Sequence, residues 1–313
     1  MGDLPGTPAL IGVLVVPAGV VLLALLAAAM NGALDARAAG RPAASGVAVP
    51  LVETARLLRQ QRRTLAGADS VLWRIGGAGL VVAALLKVLV VPVGAVSFAD
   101  IPAGIVWFNA MDVLLWALWW MLGWGANSAY SLIGGYRFLA QALAYEIPLM
   151  FALTGPAIGA GSLDVTQVAA AQHDLWFIVS MPVAFLVYAA SVFAFAVWGP
   201  FAAPAGTDAV SGVLVELSGP DRLVVLAGRY ALLVAGAAFA VPMFLGGGAG
   251  PLLPAWAWVL VKTAVLLAVF VGARRLFPAI RPDRLAEVAW VVVVPLVLVQ
   301  LLVIAVLAAV GRS

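Results

Sequence analysis

Five ionisable side chains, Lys87, Asp112, Glu146, Arg229 and Lys262, stand inside stretches that are otherwise apolar enough to lie in lipid. A charge at the centre of a membrane helix costs roughly 2.5–3.5 kcal/mol on insertion scales, so each of the five needs a partner, a protein interior or water. Glu146 carries the sharpest expectation. Pro148 stands two residues on, and a proline lacks the N–H that would bond the carbonyl of Ala144. A freed carbonyl and a carboxylate on one turn make a polar notch suited to water, to a polar headgroup, or to proton uptake and release. Gln141 and Tyr145, four residues apart, share a helix face that continues toward Arg137. The alternative is structural, with paired charges locking helices together and a neutral Glu146 hydrogen-bonded to a neighbouring helix.

The elements that must position these side chains follow from composition. Apolar residues make up 65% of the 313 and charged residues only 10%, whereas soluble domains are about half apolar and about a quarter charged. Several uncharged runs approach 20 residues, the length that crosses a bilayer as a helix. Backbone polar groups in hydrocarbon must be satisfied within their own segment, which excludes open sheets, and the alternation of barrel strands is absent. The sequence therefore predicts an all-α polytopic membrane protein forming a single membrane domain. About eight spans are expected, near 9–30, 75–98, 104–124, 138–158, 175–198, 223–245, 252–272 and 288–310. The first lacks a basic segment before it and is long enough to cross, so it reads as a span rather than a cleaved signal peptide.

Charge distribution orients the chain. Arg37, Arg41, Arg56, Arg59, Arg62 and Arg63 crowd the loop 31–70; Arg137, Arg222, Arg274, Arg275, Arg281 and Arg284 fall on the same side under an eight-span count. The opposite side carries Asp3, Asp100, Asp164 and Asp174, with Arg312 its basic residue. The positive-inside rule then places the arginine-rich loops in the cytoplasm and both termini outside, in a multi-pass cell membrane protein. The basic excess is thus a matter of membrane side rather than of nucleic-acid binding. Residues 52–61 mix apolar and basic positions at helical spacing and read either as an amphipathic helix on the membrane surface or as a basic tether near anionic lipid.

The inventory limits the chemistry of the chain by itself. Cysteine is absent and His173 is the sole histidine, so no cysteine-ligated cluster, bis-histidine haem or metal site is expected, and no cofactor is bound by this chain alone. The run 116–124, "WALWWMLGW", reads as an interfacial aromatic belt. The basic group Arg274, Arg275, Arg281 and Arg284 is either ordinary positive-inside charge or a docking surface for an acidic cytoplasmic subunit.

Two stretches resemble a known family. "GWGANSAYSLIGGYRFLAQALAYEIPL" (123–149) is similar to the signature of the H-subunit family of respiratory complex I, its membrane subunit 1, through Gly123, Trp124, Asn127, Tyr130, Ser131, Leu132, Gly134, Arg137, Ala140, Gln141, Tyr145 and Glu146. The segment 250–290 resembles that family's Gly-Pro-Leu-Leu-Pro turn, its intramembrane lysine at Lys262, and its loop bearing Arg274, Pro278, Arg281, Asp283 and Leu285. The resemblance implies a membrane subunit of an NADH-quinone oxidoreductase that joins a redox arm to a proton-pumping arm and helps form the quinone-access chamber. Quinone is then the substrate at the interface. NADH, FMN and iron–sulfur clusters belong to partner subunits, with small and antiporter-like membrane subunits alongside. Glu146 falls on one of the family's coupling acids. The implied quinone and proton-path candidates are Glu146, Tyr145, Gln141, Arg137, Asp112, Lys87, Glu216, Arg229 and Lys262; the implied cytoplasmic docking candidates are Arg274, Arg281 and Asp283.

The chain also departs from the family pattern. Ala202, Ala205, Thr207 and Ala209 stand where acids are expected, with Asp208 nearby, and Arg229 replaces the glutamate of a Gly-Glu-Tyr element. Arg229 therefore needs a new counter-charge, for which Glu146 and Glu216 are the candidates. Two other readings remain: a membrane anchor of a related hydrogenase or formate-hydrogenlyase complex, and a stand-alone secondary transporter using Glu146, Asp112, Lys87 and Lys262.

Overall fold

The computed structural model describes residues 7–63, 65–94, 96–207 and 212–310, with side chains from residue 14 onward. Asp3, Asp208, Ala209 and Arg312 lie outside the described residues. Thirteen α-helices follow one another in this range: α1 Thr7–Ala38, α2 Ala44–Val47, α3 Val49–Arg59, α4 Ser70–Val88, α5 Gly104–Gly125, α6 Ala129–Ala160, α7 Val165–Ala170, α8 Phe177–Ser180, α9 Pro182–Phe195, α10 Gly219–Phe244, α11 Ala255–Ala273, α12 Pro282–Val288 and α13 Val294–Val310. Among the described residues seven stretches are long and apolar enough to cross a membrane: Leu14–Ala38 of α1, α4, α5, α6, α10, α11 and the continuous run Pro282–Val310.

Local chemistry sets the ends. Asp69 caps α4 by accepting from the N–H groups of Val71 and Leu72 at 3.0 and 3.1 Å, and Asp164 caps α7 in the same way. Prolines open α3, α9, α10 and α12, where their missing N–H costs nothing. Gly161 closes α6 in the left-handed conformation. Interior prolines behave differently. α6 runs through Pro148 and Pro156 without ending, so the notch expected at Pro148 does not terminate the helix. The last helix accommodates Pro295 through a π turn at Ala289–Val293 just before it.

Two expected spans take another form. The predicted span 75–98 is helical only to Val88. Pro92 and the left-handed Gly94 carry the chain into a non-helical segment held by a bridge between Val93 and Val96. The predicted span 175–198 is broken at Met181–Pro182 into α8 and α9, because the residue before a proline is driven out of the helical region. Fourteen residues rise only about 21 Å, short of the ~30 Å hydrocarbon thickness. The N–H of Ala184 in the first turn of α9 is met from outside the helix, by Oε1 of Gln300 on α13 at 2.6 Å.

α10 forms the central post, buried along nearly its whole upper length and packed against α4, α11, α1 and α9. Glycines allow the closest helix approach: a Cβ on Gly123 of α5 would meet the Cα of Gly135 of α6 at 2.9 Å, the small-residue contact by which lipid-embedded helices pack. The expected surface helix of 52–61 corresponds to α3, whose Leu57 is buried while Leu51, Val52, Leu58, Arg56 and Arg59 are exposed.

Candidate functional site

Lys87 on α4 and Asp112 on α5 are both fully buried, and Lys87 Nζ lies 2.6 Å from Asp112 Oδ2. The same ammonium donates to the carbonyl of Phe108 at 3.2 Å and sits 3.9 and 4.3 Å from the ring centroids of Phe108 and Phe195. These aromatic faces complete its coordination. Phe108 in turn stacks on Phe239 of α10 at 3.8 Å, which seals the pair against the central post. Neither charge is tolerable alone: removing one partner of a buried pair costs about 3–5 kcal/mol.

Glu146 on α6 joins this pair from the other side. Asn109 Nδ2 donates to Glu146 Oε1 at 3.3 Å, and the carboxylate interacts electrostatically with both Asp112 and Lys87. The Trp116 indole lies near the carboxylate without forming a hydrogen bond to it. Unmet capacity marks the cluster. Asp112 Oδ1, Glu146 Oε2, Asn109 Oδ1, Tyr145 Oη and Trp116 Nε1 are all buried and all lack a partner. Buried polar groups are normally satisfied, so these atoms mark places where water would complete the hydrogen bonding.

The other expected site residues disperse. Gln141 Nε2 donates to the Ala194 carbonyl at 2.8 Å, tying α6 to the end of α9, and Arg137 is half-buried one turn before it. Lys262 is spent on structure: its three N–H groups reach the carbonyls of Leu245, Gly247 and Ala249 at 2.7, 2.9 and 2.8 Å, closing the turn between α10 and α11. Glu216 accepts from Arg63 Nη1 at 3.1 Å and from Ser128 Oγ at 2.8 Å, stitching the first long loop to the segment before α10. Arg229 takes neither Glu146 nor Glu216. Its Nη2 donates to the carbonyl of Val197 instead, and its guanidinium lies 5.6 Å from the Trp198 ring. The reason is geometric: Glu216 is held by Arg63 and Ser128, and Glu146 faces α5. Arg274 also faces Trp198, at 4.8 Å, whereas Arg281 and Asp283 form an exposed pair at 3.0 Å. The tryptophan run divides as well, for Trp119 is fully buried against Phe138 and Trp116 lies mid-helix beside Glu146.

A second feature is a cleft of about 400 Å³ between α1, α3, α4 and α10. Its walls are mainly aliphatic, and Asn31, Asp35, Glu53, Thr54 and Tyr230 supply its polar rim. Arg275 fixes Asp35 at 2.5 Å, and Arg56 holds Glu53 through two contacts of 2.7 and 2.5 Å. That guanidinium keeps the Glu53 carboxyl below the usual carboxylate range. Val81 and Leu85 of α4 line the cleft, while Lys87, two positions on, projects from the far side of the same helix toward α5.

Asn109 escaped the sequence reading, although it stands one turn before Asp112 in an apolar run, and Trp116 was read as part of an aromatic belt rather than as a neighbour of Glu146. The Arg63–Glu216 link joins residues 153 apart and leaves no local signal.

Known proteins match this chain along most of its length. The family model described as NADH dehydrogenase matches residues 8–305. The NADH-quinone oxidoreductase H-subunit numbered 2 in Geobacter sulfurreducens is 33% identical over 280 residues, covering 86% of this chain and 85% of its own. The corresponding H-subunit of Geobacillus kaustophilus is 33% identical over 270 residues, covering 84% and 81%. The H-subunit numbered 1 in Rhodopseudomonas palustris strain BisA53 is 33% identical over 261 residues, covering 81% and 80%. These matches favour the complex I reading over the hydrogenase-anchor and transporter readings. The chain belongs to the H-subunit family of NADH-quinone oxidoreductase, as an all-α, multi-pass membrane subunit.

Proposed function

We propose that this chain admits quinone through the cleft between α1, α3, α4 and α10, and that the Lys87–Asp112–Glu146 cluster answers quinone chemistry with proton movement. The observation that carries the reading is the double duty of α4, whose Val81 and Leu85 wall the cleft while its Lys87 anchors the buried charges. A long aliphatic quinone tail matches the apolar walls, and the ring carbonyls match a rim of Asn31, Thr54 and Tyr230. A change of charge or position at the cleft is felt on the opposite face of α4. There Lys87 must stay paired, and Glu146 has an unmet oxygen ready to gain or lose a proton. The chain supplies no redox group. NADH, FMN and iron–sulfur clusters belong to cytoplasmic partner subunits, with small and antiporter-like membrane subunits alongside.

The topology that goes with this reading has eight crossings of the cell membrane, the fifth made by the broken pair α8–α9. Both termini are outside, and the arginine-rich loops face the cytoplasm. In that frame α3 lies on the cytoplasmic membrane surface, with Val52 and Leu58 toward the lipid. Among the candidate residues, Lys262 and Glu216 act by holding loops, and Gln141 by fixing α9.

A photoreactive quinone analogue added to the purified complex tests the cleft. Labelled peptides from α1, α3 or α10 that disappear when excess natural quinone competes are the expected result. Labelling confined to other subunits, or unchanged by competitor, would remove the cleft from the quinone route.

A further inference from the structure

A group of cations with no ion-pair partner lies beside the cleft, where Trp198 packs edge-on against the rim residue Tyr230 at 4.8 Å. Arg229 is nine-tenths buried, yet its one hydrogen bond goes to the Val197 carbonyl, and its Nε has no partner. Arg274 reaches the Trp198 ring from α11. Arg222, two turns before Arg229 on the same face of α10, reaches the Leu214 carbonyl at 3.4 Å and also leaves its Nε buried and unmet. The indole Nε1 of Trp198 is a further buried donor with nothing to bond. Among the described residues none of the three guanidinium groups forms an ion pair: Glu53 is held by Arg56, Asp35 by Arg275, Asp221 by Arg62 and Glu216 by Arg63. The unmet buried atoms of these side chains, Arg222 Nε, Arg229 Nε and Trp198 Nε1, are all donors.

Donors without acceptors, on a buried Arg229 flanked by the partly exposed Arg222 and Arg274, define the complement: an anionic, planar acceptor able to take two or three N–H groups at once. We propose that Arg222, Arg229 and Arg274 around Trp198 form the receptacle for an acidic side chain of a soluble partner subunit. This rests on the reading of the chain as the membrane subunit of a redox complex. A carboxylate at the tip of a loop suits the site, since Trp198 and Arg229 are almost wholly covered and a two-tailed lipid would need an open lipid-facing path to them. Exposed Leu276 and Phe277, next to Arg274, offer apolar surface for the rest of such a loop. Truncating one member of a buried interfacial charge pair strips a partner mainly by speeding its release.

The test uses the tagged full chain, isolated with its complex in mild detergent. Arg229→Lys replaces an unreactive guanidinium by an amine. Carbodiimide activates a carboxylate, the amine attacks it, and an amide forms while the carbodiimide leaves as its urea. The expected product is a cross-linked peptide joining position 229 to an aspartate or glutamate of a soluble subunit, absent from the wild type. Arg274→Glu, at a more accessible position, should lower the soluble subunits retained after a moderate salt wash at least tenfold, while Arg229→Lys should change retention less than twofold. No cross-link to another chain, as expected if phospholipid or free phosphate fills the site, would overturn the proposal. So would equal retention by wild type and Arg274→Glu. If the wild type retains no soluble subunit, the complex reading falls too; if retention is normal and indifferent to Arg274→Glu, only the receptacle falls.

Discussion

Lys87 and Lys262 are both lysines inside apolar helices, and the fold uses them in opposite ways. Lys262 meets three backbone carbonyls and closes a turn. Lys87 meets a carboxylate, one carbonyl and two aromatic faces, in a cluster where five buried polar atoms have no partner. Burial of charge is therefore a poor guide to function by itself. A satisfied ammonium is a fastener. A paired ammonium beside unmet carboxylate oxygens sits in a network with room for a proton to be gained, lost or moved.

The comparison can be broken by substitution. Lys87→Met leaves Asp112 buried without a counter-charge and is expected to lower stability by about 3–5 kcal/mol, read as loss of assembled complex and earlier thermal unfolding in detergent. The double variant Lys87→Met with Asp112→Leu should restore most of that stability but not coupled turnover, since an apolar pair can replace a buried ion pair structurally. Restored coupling in the double variant would show the pair to be a fastener like Lys262. Lys262→Met should cost less, about 2–3 kcal/mol, because carbonyls in a turn can recruit water in place of the ammonium. Surviving complex should keep its ratio of protons moved to quinone reduced; a changed ratio would place Lys262 in the coupling path. Glu53→Gln removes an exposed pair and should shift stability by less than about 1 kcal/mol.

The sequence made the two lysines look alike. Both were legible as intramembrane charges, and hydropathy placed most of the helices that carry them, since long apolar runs have few alternatives in lipid. The difference between them was not legible. Lys262 is satisfied by carbonyls 13 to 17 residues away, in a turn whose geometry follows from packing against α10. The break in the run expected as a fifth span was legible in principle, because Pro182 follows Met181 inside it. Glu146 was marked by its position, but its dependence on Asn109 and on the Lys87–Asp112 pair required three helices to be assembled. Arg229 shows the limit from the other side. The charge was visible and its partners were sought among the acids, whereas the fold gives it a carbonyl and an indole.

The central claim is that Glu146 belongs to a working network rather than to the scaffold. Its most direct test is the Glu146→Gln complex reconstituted in sealed vesicles, with quinone reduction and proton uptake recorded together. Glutamine keeps the shape and the bond from Asn109 but cannot exchange a proton. The account predicts normal assembly and at least a tenfold loss of redox-driven proton uptake. Uptake and turnover equal to the wild type would contradict it, leaving Glu146 a packing residue alongside Lys262.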